Sequence, residues 1–104
     1  MADYTVVCRN LKAADYILYQ LCTNIEPREN FRIAVRSRRE IRDIYGDRMK
    51  FISYEDVHTR SMLCGYRGTV LDGYAVERIT SKHKIHRLAD IHTLVLEKEQ
   101  KYDL

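Results

Sequence analysis

Cations and small hydrogen-bonding residues gather where short apolar runs give way to polar text. Arg9-Asn10 follows Tyr4–Cys8, and Arg36-Ser37 follows Phe31–Val35. Tyr54-Glu55-Asp56 follows Met49–Ser53, and Glu77-Arg78 follows Leu71–Val76. An arginine beside the start of a helix makes an anion site, because exposed N–H groups and the helix dipole both attract negative charge and a guanidinium can grip phosphate with two donors. The ligand class is a phosphate, alone or in a nucleic-acid backbone. Arg38 and Arg39 belong to a basic stretch from Arg32 to Lys50 that Glu40, Asp43 and Asp47 temper. The candidate binding residues are Arg9, Asn10, Arg36, Ser37, Arg38, Arg39 and Arg78. A plainer reading competes with this one: strand ends meet water, and polar residues collect there in any α/β protein.

Other chemistries have weaker claims. His83 and His86 stand three apart, with His92 further on, but a zinc site needs three or four converging ligands and no cysteine or aspartate completes the set. Cys64-Gly65-Tyr66-Arg67-Gly68 sets a thiol near an arginine, which lowers a thiol pKa when the two meet. Glu55, Asp56, Asp72 and Glu77 could pair for acid–base work. None of these has a signature around it, so no catalytic residue, metal or cofactor is assigned.

The elements that must position these residues alternate. Four apolar runs (Tyr4–Cys8, Phe31–Val35, Met49–Ser53 and Leu71–Val76) read as strands, each handing over to a helical pattern. That rhythm predicts βαβ units and a mainly parallel sheet, whose ligands bind beyond the carboxyl ends of the strands. The first helix carries Ala14, Ile17, Leu18, Leu21, Cys22 and Ile25 on one face, with Asn10 as its cap and Pro27 at its end. Tyr16 and Tyr19 lie off that stripe. Ser37-Arg38-Arg39-Glu40 has the form of a capping box, and predicts a short second helix with Ile41 and Ile44 on its apolar side, stopped by Gly46. A third helix is expected over Val57–Leu63, capped by Asp56 and closed by Gly65. The last is expected to start near Thr80 or Ser81, with Ile85, Leu88, Ala89, Val95 and Leu96 on one face. Its basic start (Lys82, Lys84, Arg87) and acidic end (Glu97, Glu99) oppose the helix dipole.

The 104 residues suit one domain spanning 1–104. An apolar share of 45% and a charged share of 32% are those of an ordinary globular chain. The net charge of +3 permits contact with nucleic acid without requiring it. Cys8, Cys22 and Cys64 are odd in number and widely spaced, which is no disulfide framework. A reducing, cytoplasmic compartment follows as the expectation. No run approaches ~20 apolar residues, so no membrane partner is expected.

Parts of the chain resemble the ATPase core of helicase and phage-terminase type. Val6-Val7-Cys8-Arg9-Asn10-Leu11-Lys12-Ala13-Ala14 is similar to that family's strand-then-helix text. Gly65-Tyr66-Arg67-Gly68 followed by Tyr74–Arg78 resembles its later acidic element, with Glu77 at the acidic position. The phosphate-cradling G-x-x-x-x-G-K-[ST] is absent, and Glu77 is followed by Arg78 where the family has a second acid. The resemblance therefore implies the scaffold without the hydrolysis, and a phage accessory protein as its bearer. The expected fold is a three-layer, Rossmann-like α/β sandwich with a mainly parallel four-stranded sheet. The expected function is a non-catalytic binding module for nucleic acid or another phosphate-type anion at the carboxyl edge. The alternative is a protein–protein interaction module, either a self-associating subunit or an inhibitor of a host protein. A small hydrolase or transferase is the third reading.

Overall fold

The computed structural model of the chain describes residues 2–35, 39–55 and 63–102. The expected helix over Val57–Leu63, with its cap Asp56, falls almost wholly outside them. The described elements are β1 (Asp3–Cys8), α1 (Leu11–Asn24), β2 (Phe31–Val35), β3 (Glu40–Asp43), β4 (Arg48–Ser53), β5 (Thr69–Asp72), α2 (Gly73–Lys82) and α3 (Leu88–Tyr102).

The sheet has five strands in the order β2-β3-β4-β1-β5. β1 pairs in parallel with β4 and β5, whereas β3 is antiparallel to both β2 and β4. The four strands read from sequence thus all point one way, and one unforeseen reversed strand lies between two of them. That strand makes the sheet mixed, and the expected four-stranded, mainly parallel Rossmann-like sheet does not form. Glu40–Asp43 was expected to be helical. Ile41 and Ile44 have helical spacing, but Ile41 is fully buried in the core whereas Ile44 is 65% exposed in the turn to β4. Gly46, at φ 88°, allows the tight reversal. The hairpin gives Ile41 a place in the sheet opposite Met49, which a lone four-residue helix could not match in hydrogen bonding.

The three described α-helices pack on one face of the sheet. Tyr4, Val6 and Cys8 of β1, Met49 and Phe51 of β4, Ile41 of β3 and Leu71 of β5 share one core with all three described helices. Those strand residues alternate, as one face of a pleat must. Val7 and Ile52, on the other face, are buried as well. There Leu63 and Tyr66 line a hollow with Thr5, Arg48, Lys50 and Ile52.

The last helix differs too. Residues 83–87 are not helical, and they separate α2 from α3. Ile85 is drawn into a parallel bridge with Ile25, fixed by Glu26 N–H to Ile85 C=O and Ile85 N–H to Asn24 C=O, both 2.9 Å. The break removes the basic start of the single long helix, while Glu97 and Glu99 remain in the C-terminal half of α3. Lys82 now lies in the last turn of α2 and Asp90 in the first turn of α3, each at the end its charge favours. The Leu71–Val76 run is divided as well. The strand stops at Asp72, whose carboxylate accepts from Ala75 N–H at 3.2 Å and caps α2. Ala75, Val76 and Ile79 then follow helical spacing into the core.

Candidate functional site

Three strands end together at one edge. Cys8 lies in register with Ser53, and Val7 with Asp72. β1 leads into α1 through Arg9 and Asn10, and β5 leads directly into α2. Asn10 caps α1 as expected, its side-chain oxygen accepting from Ala13 N–H at 2.8 Å. Both helices therefore present their electropositive starts at the same edge.

Between these starts lies a groove of about 320 Å³ lined by Arg9, Asn10, Lys12, Ala13, Tyr16, Ile17, Tyr74 and Glu77. α1 forms one wall and α2 the other. At the far end the two helices are stitched together. Gln20 Nε2 donates to the Glu77 carbonyl at 3.0 Å and to Thr80 Oγ1 at 3.2 Å, and Asn24 Nδ2 donates to the Thr80 carbonyl. The gap is left open toward the sheet edge. Gly73 holds the α2 wall close to β1: a Cβ there would sit 2.8 Å from the Val7 carbonyl oxygen and 3.0 Å from Cys8 Cα.

The charge at the mouth is mixed but cationic. Arg9 and Lys12 enter no ion pair or hydrogen bond among the described residues, and both side chains are exposed. Glu77 supplies one carboxylate on the α2 wall. Tyr16 and Tyr74 stand 57% and 49% exposed. Beneath them Cys8 is an inert thiol. Burial, reinforced by the negative charges of Asp72 and Glu77, pushes its pKa up to about 12, so it supplies no nucleophile at neutral pH.

Of the residues singled out from sequence, the groove brings together Arg9, Asn10 and Glu77. Arg78 is not at the edge. It lies exposed in the second turn of α2, because the strand it was expected to follow ends six residues earlier. For the same reason Glu77 is a helical residue and Asp72 is the acid that ends the strand. Arg39 is held in an ion pair. Its guanidinium meets the Asp15 carboxylate at 2.7 and 3.3 Å, leaving its charge matched. Arg36, Ser37 and Arg38 lie outside the described residues. Lys12, Tyr16 and Tyr74 were not among the site residues read from sequence. The signal for Tyr16 was its place off the apolar stripe of α1, and for Lys12 its place in the first turn after Asn10. Tyr74 had none, because its segment reads as strand.

The three described histidines are dispersed. His83 follows α2 and returns its N–H to Ile79, His86 Nδ1 meets the Glu26 carbonyl at 2.8 Å, and His92 tilts against Tyr4 with ring centroids 5.6 Å apart. Among the described residues no group of three or more His, Cys, Asp or Glu side chains could hold a metal ion, and no helix is long and apolar enough to cross a membrane. Comparison with protein families, curated proteins and solved structures returned no match to this chain.

Proposed function

We propose that this chain is a non-catalytic binding module that takes a phosphate-type anion, as carried by nucleic acid, at the carboxyl edge of its sheet. The observation that carries this is the pair of unmatched cations, Arg9 and Lys12, at the open end of a groove flanked by two helix starts. At the start of α1 the backbone N–H groups, the helix dipole and the side chains of Arg9 and Lys12 act in the same direction, whereas the start of α2 already carries the Asp72 carboxylate. The raised thiol pKa of Cys8 and the scatter of the described histidines favour binding over catalysis at this edge. Fluorescence anisotropy of labelled oligonucleotides at about 50 and about 200 mM salt tests it, since phosphate contacts release counterions and weaken steeply with salt. Binding at micromolar protein that falls with salt is expected. Its absence from every phosphate-bearing ligand overturns the reading.

A second reading rests on a different observation. β2 is an edge strand of the sheet, Ile33 on it is 46% exposed, and a shallow apolar hollow of about 180 Å³ runs beside it, lined by Cys22, Ile25, Arg28, Phe31, Ile33 and Ile41. Unpaired strand edges recruit further strands. A self-associating or partner-binding role through this edge predicts a dimer in light scattering that Ile33→Lys disperses. A wild-type protein monomeric at all concentrations removes self-association.

A further inference from the structure

Resting on the reading of the groove as a nucleic-acid site, we infer that its ligand is single-stranded, with an unpaired base inserted between Tyr16 and Tyr74 and the flanking phosphates on Arg9 and Lys12. The two rings stand on opposite walls, one from α1 and one from α2. Folding does not require them. Both are about half exposed, and neither hydroxyl has a hydrogen-bond partner among the described residues. Ala13 and Ile17 give the groove an apolar floor, so the interior favours a flat, weakly polar group and the cations at the mouth favour charge. Glu77 sharpens that division: its carboxylate on the α2 wall repels a phosphate within the groove and can accept from a base N–H. Stacking on aromatic rings beside a basic track is how unpaired strands are held without sequence readout.

The shape excludes a duplex from the same position. The groove is a concavity between two helices that Gln20 ties together further along, and its volume of about 320 Å³ lies in the range of small-ligand sites. A duplex keeps its bases inside a convex surface and offers nothing to enter such a slot. Tyr19 extends the platform. It is 72% exposed and three residues beyond Tyr16 on α1, about 4.5 Å further along the axis, where the next base of a strand would arrive.

The test compares three probes of equal phosphate number with the unmodified protein: oligothymidylate of about ten nucleotides, an abasic strand of that length, and a duplex. Oligothymidylate is expected to bind at least about fivefold more tightly than the abasic strand, the lower end of one stacked base. Tyr16→Leu and Tyr74→Leu are expected to abolish that difference, and Tyr16→Phe and Tyr74→Phe to keep it. Equal affinity for abasic and thymidylate strands, or tighter binding of the duplex, overturns the single-strand inference and leaves the anion site standing. No salt-dependent binding to any probe overturns both. Because the decisive comparison uses the unmodified protein, it holds whether or not the leucine variants fold.

Discussion

The carboxylate of Asp43 accepts a hydrogen bond from the backbone N–H of Leu88 at 2.9 Å, so the end of β3 caps the start of α3 across 45 residues of sequence. Its other oxygen accepts from Tyr45 N–H and Asp47 N–H, each at 3.0 Å, and shapes the turn into β4. Asp47 in turn accepts from Ala2 N–H at 2.9 Å and pairs with Arg87, whose guanidinium lies 4.2 Å over the Tyr45 ring. Asp43→Ala strands three backbone donors, one of them fully enclosed. We expect a loss of about 3 kcal/mol, seen as a lower urea midpoint with unchanged slope. Asp43→Asn keeps an acceptor for the turn but turns an amide toward Leu88 N–H, and is expected to fall between. An alanine variant within about 0.5 kcal/mol of wild type would show that the capping is dispensable.

Gly73 and Gly65 are expected to respond differently to the same substitution. Gly73→Ala forces a methyl against the backbone of β1, where the carbonyl of Val7 cannot yield. A cost of about 3 kcal/mol is expected, as for an overpacked core, together with displacement of Tyr74. A Cβ at Gly65 meets nothing within 4 Å, but its φ of +74° disfavours any L side chain, so Gly65→Ala should cost about 1 kcal/mol. Thermal melts of the two variants decide the order.

Cys8 contributes to an alkaline limb of stability. Its thiol ionises near 9 when unfolded and is pushed up to about 12 when folded, chiefly by burial. Between those values the unfolded chain has released the proton and the folded one has not, so this group leaves stability constant below about pH 9 and lowers it as pH rises toward 12. Cys8→Ala should flatten that limb relative to wild type. In the native protein at pH 8, iodoacetamide should modify the exposed Cys64 and leave Cys8 untouched until denaturant is added. Rapid labelling of native Cys8 would contradict its burial.

Salt dependence separates the cations. Arg9→Ala and Lys12→Ala should each reduce the slope of log affinity against log salt by about 1, the mark of one lost phosphate contact. Arg39→Ala should leave the slope unchanged, because Asp15 already matches that charge. A smaller slope for Arg39→Ala than for Arg9→Ala would move the binding surface toward the start of β3.

Much of this was legible from local pattern. α1 announced itself through the periodicity of Ala14, Ile17, Leu18 and Leu21 and the cap at Asn10, because its stripe is long and its cap is adjacent. The strands β1, β2 and β4 showed as dense apolar runs. β3 did not: four residues hold one buried apolar side chain, and Ser37–Glu40 spells a helix start that the pairing of Ile41 with Met49 overrides. The break at 83–87 was hidden for the same reason, since Ile85 keeps helical spacing with Leu88 while its hydrogen bonds go to Asn24 and Glu26. The cap that begins α3 lies on Asp43, too distant for any local rule. At the groove, Arg9 and Asn10 could be read beside the strand end, whereas Tyr74 joined the site only once Asp72 ended β5.

The single reversed strand also sets an order on the making of the sheet. β2, β3 and β4 are joined by short connections and pair with sequence neighbours, so they can assemble locally. β1 is flanked by β4 and β5, whose residues Arg48 and Thr69 pair with Asp3 and Tyr4 from far along the chain. Such distant pairings form late, since long loops must close first. A strand with five of its six residues buried is thus the first of the five synthesised and the last enclosed, and the edge where Arg9 stands comes into being only when the sheet is complete.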